Sequence, residues 1–381
     1  MFAFQKYKFR YFNFKLLLFV VFLSVTGILI IRSATLSTGE TSTFTKQIMG
    51  VCIGMTAMLI VSMIDYHWIM KMYMVVYAGI TIILALTRFT PLGTAAGTGA
   101  KRWIDIGPIR IQPSEFAKVA LVVVLAQFFN LYHERINALG VVAASVVLVG
   151  IPLLLVMAQP DLSTSLVIIF IFIVMIFTAN ISYRWILSVL AVVAPFAATF
   201  IFLVEKNLIP EQILKGYQRN RILSFLHPQD FPDLAMQQTT SVMAIGSGGL
   251  YGKGLFNESL ESVKNGNYLM EEDTDFIFAV AGEELGFAGC CLIIAILFLV
   301  VVECLLTASR AQDTAGRLVA TGIAAQIAFQ SFVNIGVATF ILPNTGLPLP
   351  FISAGLSSLL SVFIGTGIVF NIGMQRKRDL K

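Results

Sequence analysis

Ionisable residues are sparse in this chain, and a few of them stand against long apolar runs. The segment Glu271-Glu272-Asp273-Thr274-Asp275 packs four carboxylates into five residues just ahead of FIFAVAG. A charge run is ordinarily a solvated face, which suits Glu271 and Glu272. Asp275 differs because it abuts the apolar run, where partial desolvation makes a carboxylate a stronger base. Asp273 and Asp275 are also spaced to share a hard divalent cation such as Mg or Mn. Glu115 and Lys118 lie three apart and so share one helix face. They either form a structural ion pair or turn Lys118 toward an anionic ligand. Asp161 follows Gln159-Pro160 and precedes LSTSL, the pattern of a helix N-cap, close enough to a span end to line a cavity.

Further cations gather in the same connections. Gly246, Gly248, Gly249, Gly252 and Gly254 surround Lys253. The run fails as a Walker A motif, because Ser247 stands where the first glycine belongs and Gly254 where Ser or Thr belongs. What is left is a flexible segment whose backbone N–H groups and Lys253 could hold an anion. Arg219, Arg221, Lys101, Arg102 and Arg110 add positive charge. Glu283 and Glu284 follow at helical spacing in weakly apolar sequence, which suggests a half-buried or re-entrant entry.

The elements that must position these residues follow from composition. Of 381 residues, 57% are hydrophobic and 12% charged, with mean hydropathy +0.85. So little charge cannot cover so much apolar side chain in water. Crossing ~30 Å of hydrocarbon takes roughly 20 apolar residues in a helix. Such runs fall near 16–36, 47–64, 70–87, 114–131, 138–158, 163–179, 184–204, 277–306, 316–342 and 352–373. The expected fold is all-α, a single polytopic membrane domain of about ten transmembrane helices. A barrel is excluded, since LVIIFIFIVMIF does not alternate. The first run follows Lys6, Lys8, Arg10 and Lys15 as a signal peptide would, but no A-x-A site follows it.

Lys and Arg counts set the orientation: both basic tails fall on the cytoplasmic side, and 88–113 and the large 205–276 loop fall outside. The charges within the spans cluster toward the outer half, and of them only Glu303 lies deep or toward the inner side. The net charge of +5 follows this geometry and forms no basic face for nucleic acid. Cys52, Cys290, Cys291 and Cys304 lie in apolar runs as small hydrophobes, without zinc or disulfide spacing. His67, His133 and His227 are too far apart in sequence to suggest a His-centred triad or an HExxH site. Gly50 and Gly54 form a GxxxG helix-packing pair.

A base, several cations and a bundle able to admit a lipid tail suit glycosyl transfer from a lipid-pyrophosphate sugar. The pyrophosphate leaves readily once its charge is stabilised. An acceptor hydroxyl needs one carboxylate as base, and an inverting transfer needs no covalent nucleophile. On these residues alone, a lipid or solute transporter fits equally well.

At AKRWIDIGPIRIQPSEFAK, AQPDLSTSL, AIGSGGLYGKGL, TDFIFAVAGEELG and PNTGLPLPFISAG, the chain resembles the shape, elongation, division and sporulation (SEDS) family of bacterial cell-wall polymerases. The match keeps the same order through nearly the whole length. The short tails and Pro-Leu-Pro-Phe at 348–351 resemble the RodA branch more than the FtsW branch. The resemblance implies ten transmembrane helices in the bacterial cytoplasmic membrane and peptidoglycan glycosyltransferase activity on lipid II at the outer face. It implies a class B penicillin-binding protein as partner, within the elongation or division machinery, and no nucleotide or organic cofactor. The family's essential acid corresponds to Asp275, its Glu-Lys pair to Glu115 and Lys118, and the acid of its Gln-Pro-Asp motif to Asp161. Two departures stand out: Ser353-Ala354-Gly355-Leu356 where Ser-Tyr-Gly-Gly is common, and Asp273 where His is frequent. A lipid II flippase and a noncatalytic scaffold for the penicillin-binding protein are the alternative functions.

Overall fold

The computed structural model describes residues 9–38, 41–95, 101–107, 109–185, 187, 191, 195, 199, 202–206, 216–256 and 273–375. Helices α1 (Phe14–Thr38) and α2 (Thr41–Ser62) form an antiparallel pair, and a short α3 (Tyr66–Lys71) leads into α4 (Tyr73–Phe89). Helices α5 (Pro113–Leu131), α6 (Leu139–Ala158) and α7 (Leu162–Thr178) follow, then α8 (Gly216–Leu226) and α9 (Pro232–Ser247). The chain closes with α10 (Ile277–Ser309), α11 (Thr314–Ala338) and α12 (Leu356–Met374). Seven of these are long and apolar enough to cross a membrane, and α4 and α7 are shorter apolar helices. The expected span 184–204 lies largely outside the described residues. The other expected spans all coincide with helices, their ends displaced by a turn or two.

The bundle has an inside and an outside. Helices α5, α11 and α12 are buried over 72%, 78% and 78% of their apolar windows, whereas α1, α2, α6 and α10 bury 22% to 39%. The central three can therefore carry polar groups away from lipid, and the outer ones present apolar side chains to it. Gly50 and Gly54 act as the GxxxG pattern suggests: α12 packs so closely that a Cβ on Gly54 would strike the Phe363 ring, and one on Gly50 would lie 3.3 Å from Leu356. The cysteines are all free, but Cys52 and Cys291 are exposed rather than buried. Both sit on outer helices, where an apolar thiol can face lipid.

Both long connections hold more structure than linkers. Within 88–113, β1 (Gly93–Thr94), β2 (Trp103–Ile106) and β3 (Ile109–Ile111) form an antiparallel sheet, with Ile104 opposite Ile111 and Ile106 opposite Ile109. The all-α expectation holds for the bundle and missed this small sheet. Its β-branched residues sit on either side of Gly107, which turns the chain at φ 61°. In the 205–276 loop, α9 is tied to the bundle: Gln238 donates to the carbonyls of Val337 (3.0 Å) and Leu342 (2.8 Å), and Ser241 to that of Ala338 (2.7 Å). The Ser241 bond satisfies a carbonyl that the end of α11 leaves open.

Helix α10 is broken at Gly286 (φ 67°, ψ −168°). In an unbroken helix the N–H groups of Phe287 and Ala288 would reach the carbonyls of Glu283 and Glu284. Instead they donate to Gly249 (2.9 Å) and Leu250 (3.0 Å), while Lys253 and Gly254 donate to Glu283 (2.9 Å) and Glu284 (3.0 Å). The glycine run is thus inserted into the break and meets four of the backbone groups it frees. Gly252 (φ 78°) and Gly248 come so close to this backbone that a Cβ on either would overlap a carbonyl of α10.

Candidate active site

The site lies at the end of the bundle that carries the sheet, where α2, α5, α7, α10 and α12 begin. Asp275 ends the segment ahead of α10, and neighbouring loops pin that segment's backbone. Ala354 N–H donates to the Asp273 carbonyl (2.8 Å), the Ser353 hydroxyl to that of Thr274 (2.6 Å), and Asn334 to that of Asp275 (2.9 Å). Asn334 also donates to Leu347 (2.7 Å), tying the Asp275 segment to the Pro-Asn-Thr-Gly-Leu loop. The Asp275 carboxylate lies against Gly346 (φ 74°), where an added Cβ would stand 3.0 Å from Oδ2. Three contacts converge on this Thr345–Gly346 step. Arg221 donates to the Thr345 carbonyl (3.4 Å), the Ser163 hydroxyl donates to the same oxygen, and Asp275 touches the glycine. Arg219 is half-buried near the start of α8, and its Nε has no acceptor among the described residues.

Beside Thr274 a cavity of about 610 Å³ opens between the start of α2, the sheet and the start of α12. Lys46, Gln47, Arg110, Asp105, Thr274 and Gly355 line it, with Met49 and Trp103 as apolar wall. Arg110 pairs with Asp105 at 3.0 Å. The sequence pointed to Arg110 but not to Lys46 or Gln47. Lys46, a cation in the first turns of an apolar helix, was the available signal.

Asp161 caps α7, as its pattern suggested, accepting from the Thr164 backbone N–H (3.1 Å) and hydroxyl (2.9 Å). It also accepts from Gln112 (3.0 Å) and Ser114 (3.2 Å), which joins α7 to the start of α5. Arg102 donates to the carbonyls of Gln159 (2.9 Å) and Pro160, holding the turn ahead of Asp161. Lys118 is fully buried, and its ammonium lies 2.9 Å from both oxygens of Glu115, which is itself 3% exposed. This is the structural ion pair. The ammonium has no exposed face to turn toward a ligand.

Lys253 and its glycines depart from the sequence reading. The run is not a free anion-binding loop, because the α10 break uses the N–H groups of Lys253 and Gly254. The Lys253 ammonium bonds Glu283 at 2.7 Å, and that carboxylate is 1% exposed. The Ser33 hydroxyl donates to Glu284 from α1. Sequence patterning marked Glu283 and Glu284 as half-buried, and helical spacing gave no sign of a partner 30 residues away. Glu271 and Glu272 lie outside the described residues.

No group of three His, Cys, Asp or Glu side chains gathers for a metal among the described residues. At the opposite end His67 stands between two carboxylates, at 2.8 Å from Asp65 and 2.9 Å from Asp313. Tyr66 donates to Asp313 (2.9 Å) and Gln375 to Asp65 (3.2 Å). The acids lie 248 positions apart, and their convergence on one histidine left no mark in the sequence.

Known proteins of similar sequence and structure agree with this architecture. Peptidoglycan glycosyltransferase MrdB of Escherichia coli K12 is 34% identical over 369 residues, covering 95% of this chain and 93% of that protein. A probable peptidoglycan glycosyltransferase FtsW of Geobacter metallireducens is 33% identical over 371 residues, covering 95% and 94%. A chain of a peptidoglycan synthase complex that coordinates polymerization and crosslinking superposes with a TM-score of 0.80 at 25% identity, over 97% of this chain and 99% of that one. The rod shape determining protein RodA of Thermus thermophilus superposes with a TM-score of 0.70 at 24% identity, over 97% and 98%. Residues 9–378 match the cell cycle proteins FtsW, RodA and SpoVE from end to end, and the chain belongs to that family.

Proposed function

We propose that this protein polymerises lipid II into glycan strands at the outer face of the cytoplasmic membrane. Peptidoglycan glycosyl transfer in cell-wall synthesis is the activity for which its relatives are named, and this chain is such an enzyme. The observation that carries the finer reading is the pinned Asp275 segment, its three backbone carbonyls each accepting a hydrogen bond, beside a cavity with cationic walls.

In the proposed transfer Asp275 takes the proton of the acceptor hydroxyl, and the freed oxygen pair attacks the anomeric carbon of the donor. The bond to the lipid pyrophosphate breaks with its electron pair, and the configuration inverts. Lys46 and Arg110, with Arg219 and Arg221 near the Thr345–Gly346 step, offset the charge that develops on the leaving group. The Arg219 Nε, enclosed without an acceptor, supports an anionic partner there. A divalent cation on Asp273 and Asp275 would add to the same charge stabilisation. Arg102 and Asp161 position the loops around the site, and Lys253 acts through Glu283 on the α10 break.

The basic ends of the chain support a cytoplasmic location for both termini, which directs the sheet end outward. The fold shared with a chain of a peptidoglycan synthase complex supports a crosslinking partner, a class B penicillin-binding protein.

The test is polymerisation of lipid II by purified wild type and Asp275→Asn, with and without a chelator. Loss of a general base costs ~10²–10⁴ in rate, while the unfolding midpoint should hold because the pinning bonds go to backbone atoms. Wild-type polymerisation by the asparagine variant refutes the role given to Asp275. A wild type that makes no polymer favours a transporter. Chelator-resistant polymerisation removes the cation.

A further inference from the structure

We propose that the bundle binds the phosphate of an anionic lipid headgroup in a basic cavity at the end opposite the candidate active site. The cavity, about 370 Å³, lies where α1 begins and α10 and α12 end, and Arg10, Lys15 and Arg310 line it with Asn13, Glu303 and Gly373. Three cations face one carboxylate, which leaves the cavity strongly positive. Asn13 donates to Glu303 at 2.9 Å, drawing one of its oxygens aside. Asn13 also accepts the Leu16 N–H (3.1 Å) and so caps α1, which fixes it in this geometry. Phe12 stacks on Phe370 at 4.8 Å between ring centres and nearly parallel, which anchors the 10–15 segment over α12. The cationic segment is therefore held in place over the cavity.

Basic residues at the end of a membrane bundle serve first as a topology signal, which requires charge but no cavity. Here three of them ring a concave space, and Glu303 sits among them already engaged by an amide. Apolar side chains adjoin the same space. Phe14 and Leu306 line it, and Phe14 and the neighbouring Leu18 are 68% and 65% exposed on the outer surface of α1. A soluble anion has no use for that apolar border. A lipid fits both halves, with its phosphate among the cations and its chains along α1 and α10.

Native mass spectrometry of the detergent-purified full chain with phosphatidylglycerol, phosphatidylcholine or inorganic phosphate tests this. Wild type should retain phosphatidylglycerol over phosphatidylcholine. R10Q, K15Q and R310Q should each weaken that retention roughly fivefold, at about the usual energy of one basic residue against an anionic headgroup. The three side chains are exposed, so an unchanged unfolding midpoint should accompany the loss. Glu303→Gln removes the one repelling charge and should tighten retention. The control set K71Q, R135Q and R184Q removes equal charge from other exposed positions at the same end and should retain the lipid as wild type does. Equal weakening in the control set, equal retention of both lipids, or no change in the cavity variants overturns the proposal. Displacement of phosphatidylglycerol by an equal concentration of inorganic phosphate also overturns it, by making the ligand a free anion.

Discussion

Neutralising Lys118 distinguishes a structural ion pair from a ligand contact at the start of α5. The ammonium lies 2.9 Å from both Glu115 oxygens, and the two side chains are 0% and 4% exposed. Lys118→Met keeps the apolar stem and removes the charge, so Glu115 keeps a buried negative charge without its cation. Breaking a buried pair in this way typically costs about 3–5 kcal/mol. The double variant Glu115→Gln/Lys118→Met substitutes a neutral pair of similar volume, a change that is often close to neutral. The single variant should therefore unfold at a clearly lower temperature in detergent, and the double should recover most of the difference. Circular dichroism at one fixed scan rate reads the midpoints, and lipid II polymerisation is measured on the same preparations. A single variant that unfolds with wild type but needs far more lipid II would refute the reasoning and make Lys118 a ligand contact. A double variant as unstable as the single would show that charge pairing is not what holds this position.

Gly252→Ala should destabilise the protein by more than the ~1–2 kcal/mol of a left-handed non-glycine residue, because its Cβ would also overlap the Glu284 carbonyl. Gly246→Ala, which faces open space, should leave the unfolding midpoint unchanged. The hydrogen bond to Asp313 raises the pKa of His67 above 6.5 against burial; burial pushes Asp65 and Asp313 up, but the bonds from His67, with Gln375 at Asp65 and Gly316 and Tyr66 at Asp313, together outweigh it and hold both below 3.8. Stabilisation from His67 is thus complete below its unfolded value and lost as pH rises through the raised folded value. That from the acids is present above 3.8 and lost as pH falls through their lowered values. The wild-type unfolding midpoint should therefore decline as pH rises past 6.5, and a His67→Gln variant should show a flatter profile over the same rise. In a cysteine-free background, Tyr251→Cys should react with an impermeant thiol reagent in intact cells and Arg135→Cys should not. The reverse pattern would overturn the outward orientation of the sheet end.

Asp161 and the Glu115–Lys118 pair were legible in the sequence because both depend on neighbours within one helical turn. A cap needs an acceptor just ahead of the first turn, and a pair needs two charges on one face. The apolar runs were legible for a different reason, since a hydrocarbon layer demands a continuous length of apolar residues whatever packs around it. Those local and solvent-imposed requirements determined the spans, their approximate ends and the exclusion of a soluble or barrel fold. Tertiary structure alone decided that Lys253 would neutralise Glu283 in place of holding an anion, and that the glycine run would fill a break in α10. It also decided that Lys46 and Arg110 would share a cavity with Thr274, that Asp275 would rest on Gly346, and that His67 would stand between Asp65 and Asp313. Apart from the His67–Asp65 half of the last, each of these contacts joins residues 30 or more positions apart. A buried charge requires a partner, and which distant segment supplies it depends on how the helices pack in space.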